Sequence, residues 1–205
     1  MYRAANNSTK KEHSRQTRVC ARKLGLLCFA LLISGVPQPV RSQSAAVEYQ
    51  VKAAFLFHFA QFVNWPADSL KAGDPSINLC IFDDEPRRNE LQRTVEGKLI
   101  GAREFRVRLI SPPQGIQGCN ILFLSRDEAR RQSLILKSLR GVPVLTVGET
   151  SDFLSDGGII RFHLEEGKIR FDINLSAAES SHLQISSRLL LLATSVTGGV
   201  ADRGR

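Results

Sequence analysis

GIIRFHLEEGKIRFDINL, residues 158 to 175, alternates apolar and polar residues on both sides of LEEG. Period-two alternation around a short acidic, glycine-containing turn predicts an antiparallel β-hairpin. The hairpin decides the fold because what precedes it has a different grammar. NILFL (120–124) and PVLTV (143–147) are continuously apolar, as strands buried on both faces are. Helical patterns separate the earlier strands, so those strands are expected to be parallel. Parallel strands closed by a hairpin make a mixed sheet.

Upstream, VEYQVKAAFLFHFAQFVNW (47–65) is apolar over most of its circumference and stops at Pro66, which predicts a largely buried helix. SINLCIF (76–82) reads as a strand. PRRNELQRTVEG follows as a helix, with Pro86 at its start and Gly97 beyond its end. EFRVRLI (104–110) alternates like a strand exposed on one face. SRDEARRQSLILKSLRG carries Ser125 and Glu128 at capping-box spacing and ends at Gly141. GETSDFLSDGG is a turn-rich connection. After the hairpin, Ser176 and Glu179 suggest a second capping box, opening a helix that runs through RLLLLATSV. The expected architecture is an α/β three-layer α/β/α sandwich whose mixed sheet ends in the hairpin and is closed by a C-terminal helix.

The N-terminus explains the charge. A basic segment precedes the apolar run LGLLCFALLISGV (24–36), and QPVRSQSAA follows it. That order predicts a secretory signal peptide over residues 1–42, cut between Ser42 and Ala45. Thirteen apolar residues fall short of the about 20 that span a bilayer, although an uncleaved anchor is the alternative. Leu27 before Cys28 and Val19 before Cys20 do not fit a lipoprotein signal. Residues 1–42 hold eight of the 28 Lys and Arg and one of the 20 Asp and Glu. The formal charge of +8 therefore falls to about +1 in the remaining chain. The basicity belongs to the leader, and a nucleic-acid partner is excluded. A single domain is expected over 46–195, followed by a polar, frayed tail at 196–205, in an oxidising compartment of periplasmic type.

Cleavage leaves two cysteines, Cys80 and Cys119, hence one possible intramolecular pairing. Both lie beside predicted strands. A disulfide, a reactive thiol and simple core packing are the three readings. No C-x-x-C or H-x-x-x-H spacing supports a metal or thioredoxin-like site. Asp83-Asp84-Glu85 follows a strand, where open α/β sheets place functional groups. A receiver domain would also want a lysine ending a later strand, yet PVLTVGE ends in Gly148 and Glu149, so a solvated turn before a helix is the simpler reading. No G-x-S-x-G, H-E-x-x-H, P-loop or G-x-G-x-x-G occurs. His58 sits in a phenylalanine-rich helix and reads as an interior histidine, whereas His163 and His182 read as surface residues. No cofactor or metal is expected.

In KIRFDIN, Ile169, Phe171 and Ile173 share one face, with Lys168, Arg170, Asp172 and Asn174 on the other. If LEEG is the turn, Arg161 lies opposite Arg170, with Asp172 diagonal to both. Two adjacent arginines require an anion between them. Either Asp172 supplies it, or a ligand or partner carboxylate does.

VKAAFLFHFAQFVNWP (51–66), INLCIFDDEP (77–86), GCNILFLS (118–125), VPVLTVGE (142–149), GGIIRFHLEEGKIRFDINLSAA (157–178) and LQISSRLLLLA (183–193) together resemble the YfiR family of periplasmic regulators. The resemblance covers the chain from about Glu48 to Ala193. It implies a non-enzymatic inhibitor that binds the periplasmic domain of an inner-membrane diguanylate cyclase and lowers cyclic-di-GMP output. It further implies possible sequestration by an outer-membrane lipoprotein, and homodimers. Carried over, Cys80 and Cys119 match the family's disulfide pair. The hairpin strand with Arg170, Phe171, Asp172 and Asn174, beside Arg161, is the region suspected of partner contact. Asn120 is a departure, standing where many relatives are expected to carry histidine.

Overall fold

In the computed structural model, residues 41–67, 69–70, 75–82, 85–111 and 115–199 are described. The expected leader lies outside them except for Arg41 and Ser42, and Asp83-Asp84 lies outside as well.

The chain opens with helix α1 (Arg41–Phe62) and a two-residue strand β1 (Val63–Asn64). The helix ends earlier than the expected Trp65 because Val63 and Asn64 pair with Ile185 and Gln184. Then come β2 (Ser76–Phe82), α2 (Glu85–Val95), β3 (Leu99–Ile100), β4 (Arg103–Ile110) and β5 (Ile121–Leu124). A single 3-10 turn (Arg126–Glu128) leads into α3 (Ala129–Ser138). Ser125 precedes that turn without capping it through its side chain, so the expected capping box does not form. β6 (Leu145–Gly148) and the hairpin β7 (Ile160–Glu165) and β8 (Lys168–Asn174) follow.

Eight strands form one sheet in the order β10-β8-β7-β6-β5-β2-β4-β3, where β10 is Ser195–Thr197. β4, β2, β5, β6 and β7 run parallel; β3 and β8 run antiparallel to their neighbours β4 and β7. The sheet is mixed, as expected.

Alternation along β2 separates two cores. Ile77, Leu79 and Ile81 join Leu56, Phe59, Leu91 and Val95 of α1 and α2 on one face. Cys80 and Phe82 join Ile135 and Leu136 of α3, and Leu139 just after it, on the other. Helix, sheet and helix are the three expected layers. The first core is aromatic: Phe59 lies 4.9 Å from Phe171 and 5.6 Å from Phe162 between ring centroids. In the second core the Phe153 ring is clasped between two glycines. A Cβ at Gly148 would come within 2.1 Å of that ring and one at Gly158 within 2.2 Å, so only glycine permits the approach.

Two expectations are corrected. The turn is Glu166-Gly167 alone, with φ of 50° and 73°, the left-handed pair of a type I′ loop. Glu165 therefore pairs with Lys168, Arg161 faces Asp172, and His163 faces Arg170. Arg161 and Arg170 are not opposite each other. The closing helix from Ser176 through Val196 is also absent. The chain instead makes α4 (Leu175–Ser180), β9 (Gln184–Ile185), α5 (Ser187–Leu190) and β10. Asn174 caps α4, accepting from the Ala177 amide at 3.0 Å, so the cap lies two residues before Ser176. Thr194 N–H donates to Phe171 O at 2.8 Å, and Ser195–Thr197 then align parallel to β8. Val196 and Thr197 are β-branched and suit that strand, which carries ordered chain past the expected domain end at 195.

Candidate functional site

The polar side of the hairpin converges on one carboxylate. Asp172 is 3% exposed, because β10 and the loop after β6 close over it. Arg161 donates to its Oδ2 through Nη2 at 2.6 Å and Nε at 3.2 Å, and Ser195 Oγ donates to Oδ1 at 2.8 Å. Arg161 Nη1 also donates to Ser151 O at 2.8 Å. His163 Nδ1 stands 3.2 Å from Asp172 Oδ2. Burial disfavours the charged carboxylate. The hydrogen bonds from Arg161 and Ser195, with the fields of His163 and Arg161, outweigh burial and hold Asp172 below the ordinary carboxylate range.

The remaining hairpin residues separate into three roles. Asn174 caps α4 and donates through Nδ2 to Leu154 O at 3.1 Å, so it fastens the hairpin to the loop after β6. Phe171 is 3% exposed in the aromatic core and presents nothing to a partner, contrary to expectation. Arg170 is exposed, 3.6 Å from Glu165 through Nε. With the exposed Leu164, Glu165, Glu166 and Lys168, it makes the accessible tip. An anion gripped between Arg161 and Arg170 has no geometric basis: Asp172 occupies Arg161, and the register carries Arg170 to the neighbourhood of Glu165.

Cys80 and Cys119 are joined, with Cα atoms 5.8 Å apart. The bridge ties the middle of β2 to the residue two before β5, inside the α3-side core. His58 corrects another expectation. It is exposed on α1, and its Nδ1 lies 2.9 Å from Gln61 Oε1.

A buried ion cluster escaped the sequence reading. Lys52 of α1 is 4% exposed and bonds to both Glu48 and Glu149, the residue that follows β6. Glu149 also accepts from Arg126 N–H at 3.3 Å. The i,i+4 spacing of Glu48 and Lys52 was the available signal, but it cannot point to Glu149, 97 residues away. The cluster fixes α1 to the carboxyl end of β6. Its members satisfy one another and leave no reacting group free. Among the described residues no three His, Cys, Asp or Glu are grouped to hold a metal, and no helix is long and apolar enough to cross a membrane.

Among solved structures, the chain is similar to a conserved domain protein from Vibrio cholerae O1 biovar El Tor strain N16961. The TM-score is 0.51 at 12% sequence identity, and the match covers 73% of this chain and 60% of that one. That likeness supports the fold. The YfiR/HmsC-like family model matches residues 49–194, which takes in every layer from α1 to the turn before β10. The chain belongs to the YfiR/HmsC-like family.

Proposed function

We propose that the chain is an exported periplasmic regulator that binds the periplasmic domain of an inner-membrane diguanylate cyclase and lowers cyclic-di-GMP output. The observation that carries this reading is family membership across residues 49–194. The geometry is in keeping with it: Arg161 pairs with Asp172 and Lys52 with Glu48 and Glu149, while Leu164, Lys168 and Arg170 of the hairpin tip are exposed. The hairpin tip, with Leu164, Lys168 and Arg170, is the proposed contact, replacing the buried Phe171 and the structural Asp172 and Asn174 of the sequence expectation. Its backbone is held by the two-residue turn and by the Arg161–Asp172 pair beneath it, so the tip meets a partner preorganised.

Such a repressor needs only to favour one state of the cyclase. A differential of about 1–3 kcal/mol shifts output by roughly 5- to 150-fold. An outer-membrane lipoprotein that sequesters the protein would compete for it, and a homodimer is compatible with the same reading. The Cys80–Cys119 bridge acts as a staple between β2 and the start of β5.

The test is affinity purification from detergent-solubilised envelopes with C-terminally tagged chain, oxidised and reduced. A membrane diguanylate cyclase should be recovered, and Arg170→Glu should weaken its recovery. Recovery lost on reduction would make the bridge a redox control. Recovery of no membrane partner in either state would sink the proposal.

A further inference from the structure

A cleft of about 460 Å³ opens at the amino-terminal edge of the sheet, where β2, β5 and β6 begin, and is walled by Cys119 of the disulfide. Its size falls within the usual range of small-ligand sites, roughly 300–1,000 Å³. We propose that this cleft binds a small organic carboxylate with an apolar body.

Charge comes first. Arg103 and Arg108 line the cleft, and no Asp or Glu among the described residues lines it. Arg108 lies beside Cys80 in the β2–β4 register and is exposed. Its one hydrogen bond among the described residues runs from Nη1 to Gly118 O at 3.4 Å. Arg108 thus lines the cleft with no acid partner among the described residues. A guanidinium fork matches a carboxylate better than it matches any neutral group.

Asn120 supplies the second, independent observation. It is 8% exposed and lines the cleft. Its Oδ1 accepts from the Asn78 backbone N–H at 2.8 Å, which fixes the amide orientation, since only oxygen can face a donor there. The Asn120 Nδ2 group then points the other way, and no described residue accepts its two N–H bonds. That nitrogen is not among the fully buried unpartnered atoms, so its N–H bonds remain open to an oxygen that enters the cleft. Asn78 holds the frame. Its Nδ2 donates to Gly118 O at 3.0 Å, and its Oδ1 accepts from Ser76 Oγ at 3.3 Å. Ile116, Val142 and Pro143 form the apolar wall, which suits a branched or aromatic body more than a bare inorganic anion.

This site lies on different elements from the hairpin tip, and its test needs no cyclase, so its failure would leave the regulatory proposal standing. The full chain is produced, the exported protein is purified oxidised, and the protein is titrated in an amide NMR experiment that includes side-chain amides and the Arg108 Nε. The probes are benzoate, isovalerate, neutral benzamide and inorganic phosphate. Benzoate and isovalerate should produce saturable shifts at the Asn78 and Asn120 side-chain amides and at Arg108. Benzamide and phosphate should bind at least about tenfold more weakly. Arg108→Gln and Asn120→Asp should each lower benzoate affinity about tenfold or more, the latter because it places an oxygen where the free N–H now stands while keeping the acceptor for Asn78. Unchanged melting curves for Arg108→Gln, at an exposed position, would show that its loss is not a folding defect. The proposal is overturned by no saturable shift with either carboxylate, by equal binding of benzamide or phosphate, or by affinity unchanged in both variants.

Discussion

Removing the Cys80–Cys119 bridge perturbs the unfolded chain more than the folded one, and the structure sets the size of the effect. The cysteines are 39 residues apart in sequence, and both are buried, at 0% and 6% exposure. In the chain-entropy model, releasing a loop of that length costs about 4 kcal/mol of stability. For a chain of this size each kcal/mol moves the melting temperature by about 2–4 °C, so a fall of about 8–16 °C is expected. The assay is thermal unfolding followed by circular dichroism on oxidised protein, on protein reduced after denaturation and refolded with reductant, and on Cys80→Ala/Cys119→Ala. A second signature follows from the same cause: without the bridge the unfolded chain expands, so the urea m-value should rise. A fall of less than about 3 °C in both reduced and double-variant protein would refute the entropic reasoning.

Four other outcomes follow from particular contacts. Lys52→Met should cost about 3–5 kcal/mol in urea unfolding because Glu149 is left buried without its cation, whereas Lys52→Met/Glu149→Gln should recover much of that loss; a single variant within 0.5 kcal/mol of wild type would contradict it. Asp172 has a folded pKa below its unfolded value of 3.8, so its contribution is present above about pH 4 and is lost as pH falls through the lower folded value. The stability gap between wild type and Asp172→Asn should therefore narrow on acidification below pH 4, and a gap constant from pH 7 to 3 would sink this assignment. Gly148→Ala must displace the Phe153 ring, and a loss of about 1–3 kcal/mol is expected; a neutral result would show that the ring has room to move. Glu166→Asn should raise stability by a few tenths to about 1 kcal/mol, since position 166 has a φ of 50° that asparagine tolerates better, and a lowered melting temperature would argue against the type I′ turn.

What the sequence made legible was set by how local each cause is. Apolar runs such as NILFL and the alternation of RFHL and KIRFDI report burial on one or two faces, and those strands appear where expected. The hairpin register was less secure because it depends on which two residues adopt positive φ. Taking LEEG rather than Glu166-Gly167 as the turn moved Arg161 from Asp172 to Arg170 and suggested an anion site that Asp172 itself fills. RLLLLAT favours a helix by propensity, yet hydrogen bonding to β8 captures the chain after Leu192, leaving Leu191 and Leu192 85% and 65% exposed. Tertiary pairing there overrode local preference. The Lys52–Glu149 pair and the cleft beneath β2, β5 and β6 join residues far apart in sequence, and no local pattern announces them. His58 was misplaced for a related reason: an almost wholly apolar helix does not reveal which narrow strip remains at the surface.

The regulatory account is tested most directly by the cyclic-di-GMP content of cells that lack the chain, carry it, or carry Arg170→Glu. The account predicts a rise on deletion, a return to the starting level when the full chain is restored, and incomplete return with the hairpin-tip variant. Cyclic-di-GMP unchanged by deletion and by restoration, with the protein present in the periplasm, would contradict it.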